Sequence, residues 1–141
     1  MMLADVNVLV GANRRDHPHH TVCFEWLKGV TKGGEPFAVA PLILSAVVRI
    51  LTSRKIFIEA TTLSEAFRYC DELLYHPLAK LVEPGSRHWT IFSNLCHQTK
   101  TIGPDVSDAW LAALAIEHGC EWISLDRDFA AYPGLRWRSP T

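Results

Sequence analysis

The chain has 141 residues, 48% of them apolar, and a formal net charge of −1, which suits a single domain (1–141) with one continuous core. No global basic field is available for nucleic acid, so any such contact must come from a local patch. No apolar run reaches membrane-spanning length, no basic leader precedes Leu3, and Cys23, Cys70, Cys96 and Cys120 are scattered without a C-x-x-C pair. These features point to free thiols in a reducing cytoplasm and away from a zinc site, a disulfide framework or a membrane anchor.

Leu3 to Val10 reads as a strand ending near Asp5, although Asn7 could equally cap a short helix through Val8, Leu9 and Val10. Pro18 opens a helix whose Val22, Trp26, Leu27 and Val30 share a face, and Gly33-Gly34 ends it. Phe37-Ala38-Val39 is a short strand. Pro41 then begins a helix with Ile43, Val47, Ile50 and Leu51 at helical spacing, and Arg49, Arg54 and Lys55 cluster near its end. Thr62-Leu63-Ser64-Glu65 matches a capping box ahead of the amphipathic set Leu63, Ala66, Phe67, Cys70, Leu73 and Leu74. Lys80-Leu81-Val82 predicts a brief strand, and Ser86 a cap for a helix carrying Trp89, Phe92 and Cys96. From Asp105 to His118 small residues favour a closely packed helix, with Gly119 as its left-handed C-terminal cap. Glu121 to Leu125 is the next strand, Asp128-Phe129 a short helical turn, and Leu135-Arg136-Trp137 an edge strand. The alternation predicts a mostly parallel sheet with helices on both faces.

Three acids stand where apolar elements end or begin: Leu3-Ala4-Asp5, Val106-Ser107-Asp108-Ala109 and Trp122-Ile123-Ser124-Leu125-Asp126. A strand that ends in an acid delivers that side chain to the ligand-binding edge of an α/β sheet. Converging carboxylates repel one another and favour a hard divalent cation, Mg²⁺ or Mn²⁺. Asp5 and Asp108 are the expected metal ligands, Asp126 completes the negative pocket, and Asn7 and Ser124 are neutral hydrogen-bonding groups that would orient carboxylates without adding charge. Asp5, Asp108 and Asp126 are accordingly the candidate catalytic residues.

Leu3-Ala4-Asp5-Val6-Asn7-Val8-Leu9-Val10 resembles the opening motif of PIN-domain ribonucleases. Asp108-Ala109-Trp110-Leu111-Ala112-Ala113 and Ser124-Leu125-Asp126-Arg127-Asp128-Phe129 resemble their later acidic motifs, in the same order. Chain length, His17-Pro18-His19-His20, Pro133-Gly134-Leu135-Arg136-Trp137 and the terminal Pro140 are most similar to the VapC toxins of bacterial toxin–antitoxin modules. The resemblance implies a PIN-like α/β/α sandwich, a Mg²⁺-dependent endoribonuclease acting on cellular RNA, inhibition by a small VapB-type antitoxin, and a homodimer. The helices carrying Ile43, Val47, Ile50 and Leu63, Phe67, Leu74 would wall an apolar groove for that partner.

One departure stands out. Relatives carry an acid in the helix after the second strand, but here Leu44-Ser45-Ala46-Val47-Val48-Arg49 holds none. Asp105 or Asp128 would have to compensate, or Mg²⁺ would keep more of its waters in a one-metal site. Arg49, with Arg54 and Lys55, offers contacts to RNA phosphates. Each acid also has a structural alternative: Asp105 and Asp108 as helix-start residues, Asp126 and Asp128 as turn residues. His17, His19 and His20 read as a solvated cap. Most of the tryptophans, Trp26, Trp89 and Trp122 among them, read as core or interface residues rather than base-stacking ones. Two rivals follow: a catalytically weak PIN-like module that binds RNA or antitoxin, and a Mg²⁺-dependent phosphatase. The phosphatase fits poorly, because Asp5-Val6-Asn7 lacks a second acid and no Lys is suitably placed after Leu125.

Overall fold

The computed structural model describes residues 1–141. Five short strands form one sheet: β1 (Met2–Ala4), β2 (Phe37–Val39), β3 (Ala79–Leu81), β4 (Glu121–Ile123) and β5 (Trp137–Arg138). Six helices connect or flank them: α1 (Val6–Asn13), α2 (His20–Lys32), α3 (Pro41–Leu51), α4 (Leu63–Leu74), α5 (His88–Thr99) and α6 (Val106–Glu117). The strand order is β3-β2-β1-β4-β5 and every pairing is parallel, with Leu3 opposite Ala38 on one side and Trp122 on the other. This is the α/β/α sandwich expected from the sequence, and its sheet is wholly parallel.

Buried on both faces, the central strands are continuously apolar, as parallel strands under helices must be. Leu3, Phe37, Ala38, Val39, Trp122 and Ile123 are buried, and they join Val8, Ile43, Val47, Leu51, Leu114 and Phe129 in one core. Helix α6 presents Ala109, Ala112, Ala113 and Ala115, all fully buried, so its backbone can pack closely against the rest of the core. Gly119 takes the positive φ of 64° that its left-handed cap requires.

Several local expectations change. The first strand stops at Ala4, and Asp5 rather than Asn7 caps α1, because an aspartate there can accept the Val6 N–H at 2.7 Å. Arg87, not Ser86, occupies the N-cap position of α5 and makes no side-chain cap. The Glu117 carboxylate instead accepts the Gly85 and Arg87 N–H groups at 2.8 and 3.0 Å, tying the end of α6 to the start of α5. Thr62 does cap α4, accepting the Glu65 N–H at 3.2 Å, but Leu63 and Phe67 on that helix are exposed. The apolar stripe of α4 is therefore only partly a core stripe. Trp89 departs furthest from a core assignment, with 72% of its surface exposed.

Candidate active site

Connectivity decides where the acids meet. From β1 the chain moves outward to β2 and β3, then returns to place β4 on the opposite side of β1. The carboxyl ends of β1 and β4 therefore flank the point where the strand order reverses, the usual crevice for ligands in an open α/β sheet. Asp5 follows β1 directly, and Ser124 and Asp126 follow β4. Helix α6 runs back toward the start of β4, so Asp108 in its first turn lies at the same edge.

Asp5 is 7% exposed, and both its carboxylate oxygens are engaged. Oδ1 accepts from the Val6 N–H at 2.7 Å, and Oδ2 accepts from the Ser124 hydroxyl at 2.6 Å. The Ser124 Oγ in turn accepts from Asn7 Nδ2 at 3.2 Å and from the Asp126 N–H at 3.0 Å, while Asn7 Oδ1 accepts the Leu125 N–H at 3.2 Å. With two N–H donors on the Ser124 oxygen, its single proton is directed at Asp5. Trp137 adds a contact that the sequence offered no signal for: its indole Nε1 donates to the Ser124 carbonyl at 3.1 Å, pinning the end of β4 from the edge strand.

Burial pushes the Asp5 carboxyl up to about 6, against the lowering effect of the Ser124 and Val6 hydrogen bonds, and repulsion from Asp108 and Asp126 adds to the rise. Asp108 is also raised, first by desolvation and then by Asp126, Asp105 and Asp128. No cation offsets these charges. The ion pairs of the chain join Arg14 to Asp16, His118 to Glu117 and Arg138 to Glu121, all elsewhere. The edge thus gathers hard oxygen donors that repel one another, although no group of three or more His, Cys, Asp or Glu side chains is close enough to enclose an ion unaided.

Asp5 and Asp108 line a cavity of about 770 Å³ together with Ser45, Ala46, Arg49, Phe92 and Trp110. Ala46 faces this cavity, so the helix position without an acid does border the site. Arg49 is brought to it, whereas Arg54 and Lys55 are exposed and line no part of it. Asp126 does not line the cavity either and reaches the site through Ser124 and through its charge; its Oδ1 accepts the Asp128 N–H at 2.9 Å, so it also builds the following turn. Asp105 takes the N-cap position of α6 with no side-chain capping bond, and Asp128 is exposed. The aromatic and apolar side of the cavity is formed by Phe92, Trp110, Leu42 and Ile50; of these the sequence reading assigns only Ile50 a binding role, as a wall of the partner groove.

A larger depression of about 950 Å³ lies at the far end of α1, around Arg14, Asp16, His17, Phe57 and Glu59. Arg14 spends its charge there on Asp16 at 2.6 Å and stacks over Phe57 at 4.0 Å, and none of the three strand-edge acids lines the depression. Its size alone marks no reaction centre, and the clustered aspartates lie at the sheet edge instead.

The fold is a parallel α/β/α sandwich with aspartates that have no cationic partner at its topological switch point. The PIN domain family model matches residues 2–135. Ribonuclease VapC43 of Mycobacterium tuberculosis (strain ATCC 25618 / H37Rv) is 39% identical over 140 residues, covering 99% of this chain and 95% of that protein. Ribonuclease VapC25 of the same strain is 36% identical over 140 residues, covering 99% of each chain. Among solved structures, VapBC2 from Rickettsia felis bound to a promoter DNA fragment superposes with a TM-score of 0.70 at 15% identity, covering 98% of this chain and 97% of that one. Mycobacterium tuberculosis VapC20, described as a sarcin-ricin loop cleaving toxin, gives 0.67 at 12% identity, covering 96% and 99%. The chain belongs to the PIN-domain family, among the VapC-type ribonucleases.

Proposed function

We propose that this protein is a divalent-metal-dependent endoribonuclease toxin of the VapC type, acting on cellular RNA in the cytoplasm and silenced by a small VapB-type antitoxin. The observation that carries the reading is the buried Asp5 carboxylate, oriented by Ser124 and sharing a cavity with Asp108 while no protein cation neutralises either. Hard oxygen donors with unoffset negative charge suit Mg²⁺, with Mn²⁺ as a substitute. Asp5 and Asp108 would hold it, directly or through water, with Asp126 acting through a bound water. Such an ion, when bound, makes a water more acidic and offsets charge on the phosphorane. Alanine at position 46 and the lack of a three-acid cluster favour one water-rich ion over a tightly held pair.

The chain's own residues do the rest. Ser124, itself held by Asn7, orients the Asp5 carboxylate through the hydroxyl bond to Oδ2. Arg49 reaches a phosphate of the bound strand from the opposite wall. Asp5, Asp108 and Asp126 are the catalytic set.

Control follows from the same charges. A partner arginine pairs with these aspartates in place of the metal. An amphipathic partner segment would dock not on Ile43 or Val47, which are buried, but in the groove of about 270 Å³ between α3 and α4 lined by Val48, Phe67 and Leu74. VapBC complexes among the structures sharing this fold support such a partner, and a homodimer is the proposed state of the toxin.

The second reading, a catalytically weak binding module, draws on Ala46. Purified full-length protein incubated with RNA across a Mg²⁺ and Mn²⁺ titration separates the two. Metal-dependent cleavage that Asp5→Asn abolishes, with growth arrest on expression and rescue by an adjacent small gene, supports the toxin. A folded wild type that binds RNA without cutting it at any metal concentration supports the module.

A further inference from the structure

Trp89 is the residue whose environment fits the sequence reading least. Its ring meets Phe92 edge-on with centroids 5.5 Å apart, and Phe92 lines the cavity that holds Asp5 and Asp108. Behind Phe92 lies His88, near-parallel to it at 6.1 Å, and His88 meets Trp110 edge-on at 4.6 Å. His88 is itself fixed, 3% exposed with Nε2 at 3.0 Å from the Trp110 carbonyl. The aromatic wall is therefore rigid from its base, and it carries an indole that stands 72% in solvent one ring away from the acids.

An exposed indole on a braced platform beside a phosphodiester site has a specific chemical complement. Every nucleobase offers a flat π face, and stacking on an aromatic side chain tolerates sequence while demanding that the base be unpaired. Arg49 on the facing helix supplies the phosphate contact that would hold the same strand. We infer that Trp89, backed by Phe92, stacks an unpaired base of the RNA strand whose phosphate enters the acidic cavity, so that this protein selects loops or single strands over duplex. The inference rests on the ribonuclease reading and adds a specificity-determining residue to it.

The test uses the full-length protein carrying Asp108→Asn to prevent cleavage, and short single-stranded RNAs in which 2-aminopurine is moved one position at a time. At one position fluorescence is quenched on binding. Trp89→Ala removes the quench and weakens binding roughly ten- to a hundredfold, while Trp89→Phe stays within about threefold of the Trp89 protein, because a smaller π face still stacks. An abasic residue at that position brings the Trp89 and Ala proteins to equal affinity. Unchanged affinity in Trp89→Ala, an equal loss with the abasic RNA, or a change of oligomeric state caused by Trp89→Ala would each overturn the inference; the last would assign the indole to an interface between copies. Cleavage by the protein with Asp108 intact is measured in parallel. If that protein cuts RNA while Trp89→Ala binds normally, only the stacking role fails. If it neither cuts nor binds RNA, the ribonuclease reading falls as well.

Discussion

The hydroxyl of Ser124 donates to Asp5 Oδ2 at 2.6 Å, joining residues 119 positions apart at the ends of two adjacent parallel strands. This bond holds the Asp5 carboxyl below where burial alone would put it. Ser124→Ala removes the bond and leaves Asn7 Nδ2 and the Asp126 N–H without their acceptor. A lost hydrogen bond to a charged group is worth about 1.5–3 kcal/mol, so the acidic limb of the cleavage pH profile should move up by about one to two units. Cleavage at pH 6 should fall more than at pH 8. An unshifted profile in a folded variant would show that the hydroxyl does not position the carboxylate.

The same carboxylate opposes folding at neutral pH. Its folded value of about 6 lies above its ordinary 3.8, so between these limits the native state binds more protons than the unfolded state and stability declines as pH rises. Well below pH 3.8 both states are protonated and no penalty remains. Asp5→Asn should therefore raise stability at pH 7 by about 1–2 kcal/mol, the full linkage gain being offset in part by the weakened Ser124 contact. The increment should shrink as pH falls toward 4 and vanish well below 3.8. Thermal melts of both proteins across pH check this, and millimolar Mn²⁺ should raise the Tm of the wild type alone. A destabilised Asp5→Asn protein at pH 7 would contradict the penalty.

Much of this was readable before any coordinates, for identifiable reasons. Apolar triplets ending near an acid gave β1 and β4, and Pro41, Thr62 and Gly119 gave helix ends, because strand burial and capping are local in sequence. The set Asp5, Asp108, Asn7 and Ser124 was assembled from motif order, and the structure brings these residues to one edge. What was not legible is long-range. Trp137 donating to the Ser124 carbonyl, and Glu117 capping α5, depend on how separate elements dock. That Trp89 lies outside the core was not legible either, because helical spacing shows which residues share a face but not whether another element covers it.

Close packing of α1 against α2 yields a stability prediction. Gly11 is buried, and a Cβ built there lies 2.9 Å from Cys23 Sγ and 3.3 Å from Cys23 Cβ, with Cys23 itself fully buried. Gly11→Ala normally favours a helix, but here overpacking should dominate and destabilise by about 1–3 kcal/mol. The double variant Gly11→Ala with Cys23→Ala should recover much of the loss. Urea unfolding of the three proteins measures it; full stability in Gly11→Ala would show that the helices can separate freely.

Arg49 is distinguished from its neighbours by the cavity. It borders the site with Asp5 and Asp108, whereas Arg54 and Lys55 lie beyond it. Arg49→Ala should weaken RNA binding and reduce the slope of log affinity against log salt by about 0.7, the value for one phosphate contact on a single strand. Arg54→Ala and Lys55→Ala should change that slope less. Equal effects at all three positions would mean a diffuse basic face instead of a defined contact.

Helix α3 offers the most direct test of the missing acid. Ala46 lines the cavity, whereas Leu44 is only 6% exposed and belongs to the core. Ala46→Glu places a third carboxylate beside Asp5 and Asp108 with Arg49 on the same helix, so the added charge has both a metal and a guanidinium to meet. If sparse ligation limits the enzyme, this variant should reach half-maximal cleavage at about tenfold lower Mg²⁺, since more carboxylates offset the cost of dehydrating the ion. In metal-free buffer it should be less stable than the wild type, because a further like charge joins the edge. Leu44→Glu should instead bury an unpaired carboxylate, losing about 3 kcal/mol or more without improving cleavage. Mg²⁺ titrations of cleavage rate and metal-free melts for both variants decide the matter. Unaltered Mg²⁺ dependence in a folded Ala46→Glu protein would show that Asp5 and Asp108 already suffice.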